Sequence, residues 1–224
     1  MKFYMHPAST VCRPIMLFAA DAGVEMEQVV VDILAGEQYG AAFAAVNPNN
    51  AVPVLEDGDF RMTESSAILK YLADKVASPA YPKDLKQRAR VNEIMDWANT
   101  SLYRTFGYGL CYPQLLDAYK LAEETAHRLT LEAGKRGAER YLGILNDHIL
   151  GPNGRHLAGD TETIADYFVS GILSVGELTG CTFAAWPNVR RWYDAIQTGA
   201  NWRSANAGLY GWAEFVKGPD YVTV

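Results

Sequence analysis

Strand-forming patterns in this 224-residue chain stop at Met62, and everything after it reads as helix or turn. Lys2 to His6 is a short strand candidate closed by Pro7, and the β-branched run Val29-Val30-Val31 reads as a buried strand. Val52-Pro53-Val54-Leu55 and Phe60-Arg61-Met62 flank Asp57-Gly58, the pattern of two short strands joined by a tight turn. Helical patterns lie between and after these strands. Ile15, Met16, Phe18 and Ala19 fall at helical spacing within Val11 to Ala22, and Gly23 is a natural stop. A second helix is expected over Glu37 to Ala45, ending before Asn47-Pro48. A third follows Ser65, a residue able to cap it, with Ile68, Leu69 and Leu72 on the buried face.

The order β-α-β-α-β-β-α is thus complete by residue 78. A parallel βαβ pair followed by an antiparallel hairpin and a helix is the thioredoxin-like arrangement, and Ser78-Pro79 and Tyr81-Pro82 mark a linker after it. Beyond Lys83 the patterns are helical: a long stretch from Asp84 to Tyr108, then Leu115 to Leu150 with weak points at Gly134 and Gly137. A capping box at Thr163–Asp166 and shorter helices over Asn188 to Thr198 and Asn206 to Val216 complete the chain. The expected fold class is α/β followed by all-α, with a thioredoxin-like domain at 1–78 and a helical domain at 84–224.

Composition narrows the function. A hydrophobic fraction of 49% is enough to bury a full core, which excludes wholesale disorder. Twenty-six acids against 20 bases leave a net charge of −6, so a nucleic-acid partner is not expected. No apolar run approaches the roughly 18–20 residues that cross a bilayer. The opening MKFYMHPAS has no apolar stretch of the signal-peptide kind, so a cytoplasmic protein is expected. Cys12, Cys111 and Cys181 are an odd, widely spaced set, a poor disulfide framework, and the four histidines show no ligand spacing, so no metal is expected.

Three segments can carry chemistry. His6-Pro-Ala-Ser-Thr-Val-Cys-Arg-Pro14 joins the first strand to the first helix, where helix N–H dipoles favour an anion such as a thiolate. Ser9 stands where a two-cysteine redox enzyme would carry its attacking thiol. It either caps the helix or donates a hydrogen bond to a thiolate brought by a co-substrate. In Asn50-Ala-Val-Pro-Val-Leu55 the proline either simply opens a strand or forms a cis bond that turns the Val52 backbone toward a bound peptide. In Thr63-Glu64-Ser65-Ser66-Ala-Ile68 the acid and hydroxyl either serve the helix start or hold the ammonium and carboxylate of an α-amino acid.

Together, PASxxCR after the first strand, VPxL with the DG hairpin and the ESxAIxxYL helix closely resemble the cytosolic glutathione transferases. The serine three residues before Cys12-Arg13 is similar to the theta class and its bacterial relatives, among them dichloromethane dehalogenases. The resemblance implies glutathione as co-substrate, an electrophile bound by the helical domain, no metal, and a homodimer. It assigns thiol activation to Ser9, the cysteinyl contact to Val52 beside Pro53, and the γ-glutamyl end to Glu64 and Ser65. Gln38 and the Asn50-Ala51 pair fall at the glycyl end, where relatives often carry histidine or lysine; here that cation is missing. Pro7, Tyr103, Arg104, Phe106, Tyr108 and Trp212 are the candidate lining of the acceptor site, Arg104 facing either the cleft or a dimer interface. A glutathione-dependent reductase or peroxidase using Cys12, and a non-catalytic glutathione-binding protein, are the alternatives.

Overall fold

The computed structural model describes residues 1–216 and 220–224; residues 217–219, within the expected 84–224 domain, lie outside the described residues. Four strands, β1 (Lys2–Met5), β2 (Glu27–Val30), β3 (Val54–Asp57) and β4 (Phe60–Met62), form one sheet in the order β2-β1-β3-β4. β1 pairs parallel with β2 and antiparallel with β3, which turns into β4 through Gly58 in the left-handed region. With helix α1 (Arg13–Ala22), the short α2 (Ala41–Ala44) and α3 (Ser65–Lys75), this is the thioredoxin-like arrangement the strand order predicts. Two details differ. β2 is an edge strand with Val30 exposed, not a buried one, because only β1 pairs with it. The second helix is split, since Gly40 is extended (φ −69°, ψ 149°) between a single 3-10 turn at Glu37–Tyr39 and α2.

The helical half begins at α4 (Leu85–Trp97), whose first N–H groups are held by Asp84 (Lys86 N at 3.1 Å, Gln87 N at 3.0 Å). Its helical path continues to Leu115 through two widened π turns, Ala98–Leu102 and Gly107–Cys111, that bracket α5 (Tyr103–Phe106) and lead into α6 (Tyr112–Leu115). The next long helix, α7 (Glu124–Ile144), starts nine residues later than the sequence suggests, capped by the Glu123 carboxylate. It passes through Gly134 and Gly137 without a break. Those glycines are not weak points but contact points: a Cβ on Gly134 would lie 2.1 Å from the Gly109 carbonyl oxygen, so the two backbones touch there.

The remaining helices are α8 (Ile164–Ser174), α9 (Pro187–Gln197), α10 (Trp202–Ala205) and α11 (Ala207–Ala213). The expected box opens α8: the Thr163 N–H donates to Asp166 Oδ2 (2.8 Å). The same buried carboxylate also accepts from Leu157 N and Trp192 Nε1, each at 2.9 Å. One continuous apolar core runs from Phe3, Ile15 and Leu69 into Leu102, Phe168 and Trp192, so it crosses from one half of the chain to the other. Arg13, fully buried at the start of α1, fastens that junction by donating to Ser174 Oγ (2.7 Å) and Asn206 Oδ1 (2.5 Å). Among the described residues no helix is long and apolar enough to cross a membrane.

Candidate active site

β1 delivers the chain at its carboxyl end to a tight turn, and the turn delivers Ser9 to the mouth of α1. The Ser9 carbonyl accepts from Cys12 N and Arg13 N (3.2 Å each), so the helical winding starts with Ser9's backbone. No side chain caps α1, whose N-cap position is Cys12, and the Ser9 hydroxyl is therefore not spent on capping. It reaches instead toward the sulfur of Cys12. Cys12 is wholly buried, which pushes its thiol up to about 11 despite the Ser9 contact.

A cavity of about 200 Å³ opens beside this turn. Ser9, Thr10, Gln38, Asn50, Ala51 and Val52 form its thioredoxin-like side, and Tyr103, Tyr108, Tyr112, Tyr119 and Trp212 close it from the helical side. A second cavity of about 160 Å³ adjoins it, sharing Val11, Ala51, Val52, Tyr103 and Tyr108, and adds Pro53, Glu64, Ser65 and Asn99. The Val52–Pro53 bond is cis, and the pairing of β3 with β1 begins only at Val54, so Val52 stands at the wall ahead of the ladder.

Glu64 holds φ +67° at the N-cap of α3, and no side chain caps that helix. Ser65 is the first helical residue and is buried, so it does not cap as the sequence suggests. The first N–H groups of α3 are left without a side-chain acceptor, next to a hydroxyl and a carboxylate. Glu64 is close enough to help push the Tyr108 phenol above its ordinary value, behind burial as the main cause.

At the other end, Gln38 donates to the Ile33 carbonyl (3.3 Å) while its own Oε1, like Asn50 Oδ1, is buried with no hydrogen-bond partner among the described residues. Among the described residues, neither cavity is lined by lysine or arginine. The ionisable base at the first cavity is His6, whose pKa burial lowers and whose Nδ1 accepts from Ala8 N (3.2 Å).

Three residues expected at the acceptor site, Pro7, Arg104 and Phe106, are not among the residues that line either cavity. Phe106 is fully buried in the core against Phe183 (ring centroids 5.9 Å apart). Arg104 is exposed and lines neither cavity, because α5 turns it toward solvent while Tyr103 takes the inner face. Pro7 packs against Gly208 in α11. Conversely Thr10, Tyr112 and Tyr119 line the cleft without having been singled out. Tyr112 lay within reach of the sequence, four residues from Tyr108, whereas Thr10 carried no signal beyond its place next to Ser9.

The structure is thus a thioredoxin-like half whose first helix opens on a cleft closed by an α-helical half. Residues 1–74 match the family model of the glutathione S-transferase N-terminal domain, and residues 115–198 match that of its C-terminal domain. The chain is 34% identical over 205 residues to glutathione S-transferase theta-1 of Homo sapiens, covering 88% of this chain and 82% of that protein. It is 32% identical over 204 residues to theta-3 of Mus musculus, with the same coverage. The solved structure of human glutathione transferase theta-2, in complex with glutathione and an unknown ligand, superposes with a TM-score of 0.86 at 29% identity, covering 96% of this chain and 89% of that one. The chain belongs to the glutathione S-transferase family. It is an enzyme of that family, and it is theta-like.

Proposed function

We propose that this transferase activates the glutathione thiol through Ser9 for nucleophilic attack on a small or hydrophobic electrophile. The observation that carries the reading is the placement of a Ser9 hydroxyl that caps no helix at the mouth of α1, inside a cleft that the aromatic helical side closes. A free thiol of pKa about 8.5 is only a few per cent ionised at neutral pH. Each unit by which the site lowers that value contributes about 1.4 kcal/mol in favour of the thiolate. A hydroxyl donor and the α1 dipole both act in that direction.

The tripeptide then lies along the shared wall of the two cavities. Val52, beside Pro53, offers its backbone to the cysteinyl part. Glu64 takes the γ-glutamyl ammonium, and Ser65 with the first N–H groups of α3 takes its carboxylate. Gln38, Asn50 and Ala51 stand at the glycyl end, where the side-chain amide of Asn50 can present its NH₂ to the carboxylate. Tyr103, Tyr108 and Trp212 contact the electrophile. In this reading residues 1–78 bind glutathione, residues 84–224 bind the electrophile and dimerise, and the enzyme works in the cytoplasm as a homodimer. The burial of Cys12 weighs against a reductase or peroxidase that would need its sulfur at the ligand.

The test is Ser9→Ala. Removing one hydrogen bond that stabilises a developing or ground-state anion typically costs about 10²–10³ in rate. The variant is expected to lose activity in that range in a spectrophotometric conjugation assay while still binding glutathione in calorimetry. Activity within twofold of wild type would remove Ser9 from the mechanism.

A further inference from the structure

Beside Ser9 stands a second hydroxyl that the family motif does not explain. Thr10 is 5% exposed, lines the same cavity, and its Oγ1 accepts a hydrogen bond from the Tyr112 hydroxyl at 2.8 Å. Tyr112 in turn is bonded to the hydroxyl of Tyr103. Proton counting orients this chain. A phenol has one proton, and that of Tyr112 is on Thr10, so Tyr103 must donate to Tyr112. Each hydroxyl therefore passes its proton toward Thr10. A threonine hydroxyl that accepts keeps its own proton to give, and no acceptor among the described residues takes it. The one free donor of this hydroxyl chain thus sits in the turn that leads into α1, next to Ser9, at the cavity wall.

Ser9 itself is not free of competition, since its hydroxyl also meets the Cys12 sulfur. A phenol that donates to an alcohol makes that alcohol a better donor, because hydrogen bonds in a chain polarise one another. Both rings are fixed by packing: Tyr103 and Tyr112 lie edge to face with centroids 6.0 Å apart, so the hydroxyl they hold is fixed as well. We propose that Thr10 is a second hydroxyl donor to the glutathione sulfur, with Tyr112 and Tyr103 as positioning residues that aim and polarise it. This rests on the reading that glutathione binds with its sulfur at the mouth of α1, and it deepens that reading by giving the thiolate two donors rather than one.

The experiment is a pH titration of the ultraviolet thiolate absorbance of glutathione bound to the intact enzyme, in wild type, Ser9→Ala, Thr10→Val, Thr10→Ser and Tyr112→Phe. Calorimetric affinity for glutathione is measured alongside. Thr10→Val keeps the shape and loses the donor, and is expected to raise the apparent pKa of the bound thiol by about one pH unit. Thr10→Ser should restore the wild-type value, and Tyr112→Phe should shift it upward by less than Thr10→Val. At a pH below the bound thiol's pKa, where glutathione binds as the neutral thiol, affinity should stay within about threefold in all of them, since the sulfur contributes little to ground-state binding of that form.

A wild-type titration from Thr10→Val, with Ser9→Ala shifted, would overturn the proposal and leave the Ser9 reading standing. A shift accompanied by a more than tenfold loss of affinity, or one that Thr10→Ser fails to rescue, would also overturn it, as general disruption of the turn. If Thr10→Val does not fold, Thr10→Ser and Tyr112→Phe decide: an unshifted Tyr112→Phe overturns the relay. Wild type without saturable glutathione binding would instead fail the underlying reading.

Discussion

At the scale of single residues, burial decides which of two neighbouring groups can react. Cys12 and Ser9 are three positions apart on one turn, yet only Ser9 lines the cleft. Losing hydration disfavours the charged form of Cys12, and the nearby Ser9 hydroxyl, the His6 backbone and Arg13 recover only part of that, so its thiol stands at about 11. A pKa raised this way keeps the group neutral at every pH below it, so Cys12 is a thiol, not a nucleophile, throughout the physiological range. Two outcomes are expected. Cys12→Ala should leave conjugation within about twofold of wild type, and mass spectrometry after iodoacetamide treatment at pH 8 should find Cys12 unmodified until the protein is unfolded. Loss of turnover in Cys12→Ala would instead support a reductase. Ser65 makes a similar point, because a serine before an apolar run reads as a cap. The left-handed backbone of Glu64 moves the cap position back by one residue, and only coordinates reveal that.

At the scale of elements, glycine in α7 separates propensity from packing. Helix propensity alone says that glycine to alanine in a helix interior stabilises by about 1 kcal/mol. At Gly143 nothing lies within 4 Å of the added Cβ, and propensity should prevail: Gly143→Ala is expected to stabilise by roughly 0.5–1 kcal/mol. At Gly134 the added methyl would meet the Gly109 carbonyl oxygen at 2.1 Å and its carbon at 2.3 Å, both backbone atoms that cannot swing aside. Overpacking of that kind costs about 1–3 kcal/mol or more, which outweighs the propensity gain. Gly134→Ala should therefore destabilise by about 2 kcal/mol in urea denaturation, and a stabilised variant would mean that α7 and the Gly107–Cys111 turn do not touch. The same contact holds that widened turn in place behind Tyr108 and Tyr112.

At the scale of the whole molecule, charge works against the co-substrate. The protein carries a net charge of −6, glutathione is itself an anion at neutral pH, and among the described residues neither cavity is lined by lysine or arginine. With neutral partners at the glycyl end, each hydrogen bond there contributes roughly 0.5–1.5 kcal/mol, about half of a charge-assisted one. Ala51 is exposed and borders both cavities, so a longer side chain can extend from it without entering the core. Ala51→Lys is expected to tighten glutathione binding several-fold at low ionic strength, with the gain shrinking as salt rises. Arg104, exposed and away from the cleft, does not already supply that charge. No improvement in Ala51→Lys would mean that a cation from elsewhere, such as a partner subunit, fills the role.

What the sequence determined by itself is whatever depends on local pattern. The strand order, the DG hairpin, the Gly23 stop and the Thr163–Asp166 box are short-range consequences of propensity, turn chemistry and capping, and they stand as written. The grouping of Ser9, Val52, Glu64 and Ser65 was legible too, because motifs at the ends of successive elements of one small sheet must converge at one edge of it. The cleft's far wall was not. In a regular helix of about 100° per residue, Tyr103 and Tyr108 would point about 140° apart, and Tyr103 and Tyr112 to opposite sides. Pattern alone therefore could not assemble them. The widened turn at Gly107–Cys111, in which Tyr112 N–H reaches back five residues to the Gly107 carbonyl, rotates the path. It brings the rings of Tyr103 and Tyr108 to 4.9 Å and those of Tyr103 and Tyr112 to 6.0 Å. At that turn the two helices press together at Gly109 and Gly134, residues 25 apart in the chain, and a contact of that range leaves no periodic trace in the sequence for a local reading to find.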